Sequence, residues 1–263
     1  MKITLSQAIE GYGLAARARR LSVQTLAEYG NTFTKFRRYL PDDHPVDEIS
    51  VDQIRAFLAA QDSVAAKTLL NYHTGLSALW RWAAKEGLVN RNIVRDIDPP
   101  RPERKAIEPY SQEDVKAMLQ ELGHSHSYKR KRDRNKMTHS LSAAVVVRNR
   151  AILLTLLDTG LRASELCGLR AGDLNLRNRK LKVMGKGAKE RILPFSANTG
   201  TALWRYLASK GKERKAPGRP LFTTAHDQPM TRVNLYHIIQ RIGSRAGITG
   251  ATVHRFRHTY AIQ

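Results

Sequence analysis

Apolar residues recur every three or four positions through the first third of the chain, the spacing of one buried face on an α-helix. Polar breaks separate four such stretches, which predict helices over residues 5–20 and 22–40, one that opens at Ser50, and one over residues 65–85. Ser22 and Ser50 stand where a serine side chain can cap the free N–H groups of a helix start. Pro41 ends the second helix and Gly87 follows the fourth. Four helices with short connections predict a small helical domain.

The second half combines helical stretches with short runs of strand type. The strongly apolar residues 143–157 predict a central buried helix, and residues 198–209 predict another. Ser111 and Thr231 stand at cap positions before two more helices. Strands are predicted at residues 174–176, 181–184 and 191–194, with a glycine-rich hairpin turn at residues 185–188. The predicted fold class is therefore mainly α with a small β-sheet.

A proline-rich segment separates the two halves. Residues 98–105 contain three prolines and five charged residues. Because proline forbids helix and favours a stiff, extended chain, we interpret this segment as a linker. The sequence therefore predicts a helical domain at residues 1–98, a linker at 99–109 and an α+β domain at 110–263.

Positive charge is concentrated after the first domain. The 263 residues carry a formal net charge of +22. Residues 1–98 hold 13 Lys and Arg against 11 Asp and Glu, whereas residues 99–263 hold 32 against 12. This excess predicts a polyanionic partner, and nucleic acid is favoured over the alternative that the basic residues only keep the surface soluble. A membrane surface is disfavoured because no basic amphipathic helix carries a wide aromatic face.

The remaining composition points to a cytoplasmic protein. No apolar run approaches the length of a membrane span, and the N-terminal residues are too polar for a signal peptide. The single cysteine, Cys167, forbids an intrachain disulfide, and its leucine neighbours predict a buried, inert thiol.

Residues 123–140 form a basic stretch without periodicity. The run from Lys129 to Lys136 includes Arg130 and Arg132. It is either a solvated loop or an arm that contacts DNA phosphates outside the main binding surface. The histidines of this stretch lack a cysteine or a carboxylate at ligand spacing, so a zinc site is not predicted.

Three short motifs supply basic residues that suit phosphodiester chemistry. Arg162 lies in T-G-L-R-A-S-E-L, Lys186 in G-K-G-A-K-E-R, and His254 and Arg257 in H-R-F-R-H. Two guanidiniums can hold phosphate oxygens bidentately, while a lysine and a histidine can handle protons. The alternative for Arg162 is a plain ion pair with Glu165. Lys186 does not belong to a Walker loop, since no Ser or Thr follows it.

In this order the motifs resemble those of the tyrosine recombinases, also called phage integrases, and the Xer-like and transposon-borne members most closely. The resemblance runs from about residue 5 to residue 263. It implies a helical, SAM-like core-binding domain and an α+β catalytic domain that together clamp duplex DNA. It also implies site-specific recombination, with strands broken and rejoined through a phosphotyrosyl bond and with no cofactor or metal.

The resemblance further implies a role for each motif residue. Arg162 and Arg257 would clamp the non-bridging oxygens of the scissile phosphate. Lys186 would protonate the departing 5′-oxygen, and His254 would move the proton of the attacking hydroxyl. His258 matches the second histidine of H-x-x-R-H and would orient its neighbours. A zinc site at His254 and His258 is not expected, because no zincin-type glutamate accompanies them.

One departure from the family pattern bears on activity. The family's nucleophilic tyrosine lies well beyond H-x-x-R-H, whereas this sequence stops at Gln263, and Tyr260 matches a packing aromatic. We therefore expect residues 1–263 to be inactive in cleavage and to leave some apolar side chains partly bare: Val253, Phe256 and Ile262.

Two further functions remain as alternatives. The first is a non-catalytic DNA-binding fragment that occupies recombination sites or regulates a full-length recombinase. The second, a more distant alternative, is a type IB topoisomerase. A full-length family member would assemble on DNA as a homo-oligomer, tetrameric in the synapse.

Further basic residues are predicted to contact the DNA backbone. They lie on predicted helices, in the hairpin and in the basic stretch of residues 123–140: Lys67, Arg81, Lys129, Arg130, Arg132, Lys189, Arg191, Arg232 and Arg241. For Lys67 and Arg81, a solvated helix face is an equally good interpretation.

Overall fold

The computed structural model describes residues 2–103, 106–124, 141–185, 190–210 and 216–262, and the backbone of residues 128–129 and 136–137. The chain divides into two compact units, residues 1–105 and 106–263. This division falls within the stretch interpreted as a linker, while the predicted domain limits stay predictions. Helices dominate both units and a small antiparallel sheet belongs to the second, so the predicted fold class is confirmed. Among the described residues, no helix is long and apolar enough to cross a membrane.

The described residues of the first unit form four α-helices: α1 (Leu5–Ala18), α2 (Val23–Tyr39), α3 (Val51–Ala59) and α4 (Ala66–Lys85). The side chains of Ser22 and Ser50 accept hydrogen bonds from the backbone N–H groups of Thr25 and Gln53. These bonds satisfy donors that a helix start leaves without partners. Gly87 adopts φ +71° after α4, as expected of a glycine that ends a helix.

Aromatic side chains form the core of the first unit. Phe36, which is fully buried, meets Phe57 and Trp80 edge to face, with ring centroids 5.1 and 5.9 Å apart. Helix α1 comes very close to α4 at Gly11, where an added Cβ atom would lie 2.7 Å from Cη2 of Trp82. The ring of Trp82 is also held by an edge contact with Tyr12. The missing side chain at Gly11 therefore sets how closely these two helices pack.

The second unit is built around a buried helix. Its described residues form six α-helices: α5 (Gln112–Gln120), α6 (Ala143–Thr159), α7 (Ala163–Gly168), α8 (Ala197–Ala208), α9 (Arg232–Arg245) and α10 (Val253–Ile262). Helix α6 corresponds to the predicted central helix, and its residues Ile152, Leu153 and Leu156 are fully buried. It packs against α8 and α10. Cys167 lies on α7, where burial raises the pKa of the thiol to about 11, so the thiol is protonated at neutral pH.

Strands are short and antiparallel. The backbone of β1 (Tyr128–Lys129) pairs with that of β2 (Lys136–Met137). Three more strands form a sheet in the order in which they follow along the chain: β3 (Leu174–Asn175), β4 (Lys180–Met184) and β5 (Glu190–Pro194). In β4, Leu181 and Val183 are buried while Lys180, Lys182 and Met184 are exposed. One face of the sheet therefore packs on the core and the other faces solvent.

Two helix-interior glycines give a matched test of the packing of α1 on α4. Gly30 in α2 has no atom within 4 Å of an added Cβ, so Gly30→Ala should stabilise the first unit by about 0.5–1 kcal/mol through helix propensity alone. Gly11→Ala gains the same helix propensity but pushes Trp82 against Tyr12. We therefore expect it to lower the free energy of unfolding of the first unit by about 1–2 kcal/mol. Urea unfolding followed by tryptophan fluorescence measures both. Equal stabilisation by the two substitutions would contradict the close packing.

Candidate active site

Arg162 is positioned by the way in which helix α6 ends. Gly160 adopts a left-handed conformation with φ +55°, and its N–H donates to the carbonyl of Leu156 at 3.0 Å. The chain turns there, Leu161 is buried, and Arg162 becomes the residue before the first turn of α7. Its side chain remains 54% exposed. An arginine with a fixed backbone and an open guanidinium is well placed to bind an anion.

The carboxylate of Glu165 joins Arg162 to the sheet. Oε1 accepts hydrogen bonds from Nη1 of Arg162 at 3.1 Å and from Nη1 of Arg191 at 3.0 Å. Oε2 accepts from the backbone N–H of Arg162 and from Nη2 of Arg191, both at 2.9 Å. A carboxylate has about four acceptor positions, so all of them are occupied.

Burial makes these bonds strong. The side chain of Glu165 is 6% exposed, and burial by itself would raise the pKa of the carboxyl. The hydrogen bonds from Arg191 and Arg162 outweigh this effect and lower the pKa of Glu165 below its usual value. The pKa of Arg191 is raised, chiefly by its hydrogen bond to Glu165. Both groups are therefore ionised at neutral pH, and their contact ties β5 to α7.

Helix α10 brings the third motif to the same turn. Nη1 of Arg257 donates to the carbonyl oxygen of Gly160 at 2.8 Å. Gly160 stands two residues before Arg162, so the structure brings the first and third motifs together although they are far apart in sequence.

His254 and His258 form a pair on one face of α10. Their Nε2 atoms lie 3.2 Å apart and their rings are perpendicular, with centroids 4.7 Å apart. One Nε2 must carry a proton and the other a lone pair for this hydrogen bond to exist. The contact therefore links the tautomer of His254 to that of His258.

Tyr110 anchors the helix that carries the third motif. Its backbone N–H donates to Oγ1 of Thr259 at 2.8 Å, and its hydroxyl oxygen accepts from the N–H of Thr252 at 2.8 Å. The guanidinium carbon of Arg255 lies 4.5 Å from the centre of the Tyr110 ring. Contacts near both ends of α10 thus fix its position against the segment before α5.

The same segment covers part of the surface that was expected to be bare. Phe256 is fully buried, with its ring centroid 4.5 Å from that of Tyr110, so the expectation is wrong for Phe256. Val253 is half-buried and packs against the core, whereas Ile262 is 69% exposed.

Tyr260 packs on the turn rather than standing free above it. A Cβ atom added at Gly160 would lie 2.5 Å from Cδ1 of Tyr260, so the ring covers the glycine directly. The side chain keeps partial exposure. The contact is of the kind expected for a packing aromatic at this position.

Several predicted residues lie outside the described residues. Among them are Lys186 and Lys189 of the hairpin turn, and Arg130 and Arg132 of the basic run. Lys129 is described only through its backbone, which belongs to β1. Their predicted roles stay predictions.

The other predicted DNA contacts occupy exposed helix faces. Lys67 and Arg81 are separated by about four helical turns of α4, and both are exposed. Arg232 and Arg241 are exposed on α9. No group of three or more His, Cys, Asp or Glu that could hold a metal ion occurs among the described residues.

Two arginines have structural partners that the motifs did not reveal. Arg191, predicted as a DNA contact, has both terminal nitrogens on Glu165. The period of two along β5 could have indicated this, because Arg191 shares its face with Leu193 and opposes the buried Val183. Arg255, to which no role was assigned, donates to the carbonyl of Glu108 at 2.8 Å, and nothing in the local pattern indicates that partner.

Comparison with known proteins identifies a family for both units of the chain. Residues 130–263 match the model of the phage integrase family, and residues 14–87 match the phage integrase N-terminal SAM-like domain. The tyrosine recombinase XerD of Mycobacterium leprae is 28% identical over 264 residues, which cover 92% of this chain and 78% of that protein.

Solved structures share the fold. A lambda integrase (residues 75–356) dimer bound to a COC′ core site superposes with a TM-score of 0.75 at 18% identity, covering 98% of this chain and 89% of that one. A lambda integrase tetramer bound to a Holliday junction gives a TM-score of 0.73 at 19% identity, covering 99% and 72% of the two chains.

Because Glu165 is ionised in the folded state, we expect the free energy of unfolding to depend on pH in a particular way. Because its pKa is lowered in the folded state, its contribution to stability is complete above the unfolded value near 4.5 and is lost as the pH falls through the lower folded value. Glu165→Gln should therefore be less stable than wild type at neutral pH but lose less stability on acidification to about pH 3. Urea unfolding across this range measures the difference.

An exposed carboxylate nearby serves as the control. Glu190 lies on β5 next to Arg191 and has a half-exposed side chain. Glu190→Gln should keep the acid dependence of the wild-type chain. If Glu165→Gln also keeps it, the carboxylate of Glu165 is not the ionised centre of the site.

Proposed function

The chain belongs to the phage integrase family and acts in site-specific recombination of DNA, and we propose that it breaks and rejoins strands through a phosphotyrosyl bond. In this proposal a scissile phosphate binds between Arg162 and Arg257. The observation that carries it is the hydrogen bond of 2.8 Å from Arg257 to the carbonyl of Gly160, at the turn that positions Arg162. Two guanidiniums that belong to the same turn suit the oxygens of a single phosphate.

The two arginines would act mainly on the transition state. Attack on phosphorus adds negative charge to the non-bridging oxygens, and fixed donors stabilise that charge without reorganising. Arg162 is suited to this task because its side chain is 54% exposed while its backbone N–H is held by Glu165. Interactions that strengthen only as the charge develops raise the rate more than the affinity.

Proton transfer would fall to Lys186 and His254. A tyrosine hydroxyl attacks phosphorus, its proton passes to His254, and the phosphotyrosyl bond forms as the bond to the 5′-oxygen breaks. Lys186 gives the departing 5′-oxygen its proton. A 5′-hydroxyl from another strand reverses these steps and seals the new joint, so the proposed reaction consumes no cofactor. His258 would orient His254 through the contact between their Nε2 atoms.

Tyr260 is not the nucleophile in this proposal. Its ring covers Gly160 in close contact, as expected of a packing side chain. We therefore propose that residues 1–263 alone bind DNA without forming the covalent bond. A non-catalytic role at recombination sites is the alternative function that this feature favours.

The proposed partner is duplex DNA, and the proposed assembly is a homo-oligomer that becomes a tetramer when two sites are joined. Charge supports the DNA partner, since residues 99–263 hold 32 Lys and Arg against 12 Asp and Glu. Backbone contacts are proposed for the exposed residues of α4 and α9 and for the basic run and hairpin turn: Lys67, Arg81, Lys129, Arg130, Arg132, Lys189, Arg232 and Arg241.

Salt dependence tests the DNA partner. Each neutralised phosphate contributes about −0.9 to the slope of log affinity against log salt concentration, so the chain should bind duplex DNA with a steep negative slope. Substituting both Arg232 and Arg241 with Gln should make the slope shallower by about 1–2. Fluorescence anisotropy with a labelled duplex measures it. Arg55→Gln removes an exposed cation already paired with Asp52 and should leave the slope unchanged.

Covalent adduct formation tests the catalytic assignment. If the gene encodes residues after Gln263, its whole product, incubated with a nicked duplex of its selected site, should form a phosphotyrosyl adduct. Arg162→Lys and Arg257→Lys keep the charge but lose the bidentate geometry, and each should slow adduct formation by about 10²–10³ while changing duplex affinity little.

Residues 1–263 should give no adduct under the same conditions. An adduct on Tyr260 would contradict its assignment as a packing residue. Adduct formation at the wild-type rate by both lysine variants would remove Arg162 and Arg257 from the chemistry and leave DNA binding as the function.

A further inference from the structure

We propose that Arg191 is a positioning residue, which occupies the carboxylate of Glu165 and thereby leaves the guanidinium of Arg162 free to bind phosphate. This inference rests on the proposed function, because it assigns a condition under which Arg162 can act. It differs from the interpretation of Arg191 as a DNA contact, in which the same side chain would touch the phosphate backbone.

The sheet directs Arg191 toward Glu165. Residues of β5 alternate between the two faces, and Arg191 lies on the face of Leu193, opposite the buried Val183 of β4. Its side chain is 34% exposed, and both terminal nitrogens bind Glu165, at 3.0 and 2.9 Å. A bidentate pair on a carboxylate that is 6% exposed leaves this guanidinium little freedom to reach DNA.

Arg162 is held by the same carboxylate, but only loosely. Its side chain gives Glu165 one hydrogen bond, from Nη1 at 3.1 Å, while the second bond comes from its backbone N–H. Within the described part of the chain, no other hydrogen bond or ion pair of the Arg162 side chain is present. Nε and Nη2 therefore remain to receive an anion.

The two arginines compete for the carboxylate. Arg191 fills two of the four acceptor positions of Glu165, so Arg162 cannot form a bidentate pair with it. Without Arg191, the buried carboxylate loses its main counter-charge and has two open acceptor positions. Among the residues that the structure describes, Arg162 is the remaining cation in contact with it and would close onto it, because a buried charge demands a partner. That closure would remove from the site the donors that hold phosphate.

Removing the charge of Glu165 should restore the phosphate affinity that Arg162 loses when Arg191 is substituted. In Arg191→Gln, we expect the affinity of Arg162 for phosphate to fall by about tenfold, a coupling of the size that charged groups in contact show. In the double variant Arg191→Gln with Glu165→Gln, no carboxylate captures Arg162, and the affinity should return to within about threefold of wild type. If Arg191 itself bound phosphate, Glu165→Gln could not compensate for its loss.

Inorganic phosphate is the probe, and the Nε–H resonance of Arg162 is the readout. NMR of arginine side chains in the whole chain follows this resonance during titration, and Arg162→Lys assigns it. Lys182→Gln is the matched control, since it removes one positive charge from the outer face of the same sheet, where Lys182 pairs with Glu190 at 3.3 Å. This control should change the affinity at Arg162 by less than about twofold.

The outcomes separate the inference from the proposed function. If the Arg162 resonance of the wild-type chain does not respond to phosphate, the proposed function fails. If it responds equally in wild type and Arg191→Gln, or if the double variant stays as weak as the single one, only the inference fails. Should Arg191→Gln unfold, Arg191→Lys takes its place, with a smaller weakening expected and the same recovery with Glu165→Gln. Thermal unfolding of each variant verifies that the fold is intact.

Discussion

One carboxylate with almost no contact with water holds the candidate active site together. An unpaired buried charge is strongly unfavourable, so Glu165 can exist in this position only while cations surround it. Arg191 and Arg162 meet that requirement with four hydrogen bonds, of which three come from guanidiniums. The requirement also fixes geometry, because β5 must lie against α7 for the bonds to form. The relative position of the sheet and the first motif therefore follows from electrostatics as much as from apolar packing.

A glycine imposes the second constraint. Gly160 reverses the chain after α6 with φ +55°, and three features converge on it: its carbonyl binds Arg257, its Cα face carries Tyr260, and its turn presents Arg162. A side chain here would collide with the ring of Tyr260 as well as strain the backbone. The glycine of the T-G-x-R pattern therefore lets α10 pack closely on the turn, while the arginine of the pattern is available for chemistry.

The sequence predicted the parts of the molecule that depend on local rules. Helix periods, serine caps and the glycine at position 87 follow from neighbouring residues, and the structure has each of them. The partner of Arg191 was not predicted, and Phe256 was wrongly expected to be partly bare, because the surroundings of both residues come from distant segments. The partner of Arg191 is 26 residues away and the cover of Phe256 is Tyr110, and neither pairing has a local pattern. The alternation of residues along β5 indicates which face of the sheet carries Arg191, but it does not identify Glu165 as its partner.

In the proposed site, three arginines and one glutamate carry the same formal charge as two arginines alone, and the carboxylate also fixes the orientation of Arg162. Arg162, Arg191 and Arg257 with Glu165 leave a formal charge of about +2 around the turn. A phosphodiester carries about −1 before attack and about −2 when the fifth oxygen is bound, so the local charge matches the transition state more closely than the bound substrate. In the proposed complex, Arg162 and Arg257 would bind the phosphate while Arg191 stays on the carboxylate. The buried Glu165 then orients Arg162 without neutralising it, which a carboxylate paired with Arg162 alone could not do.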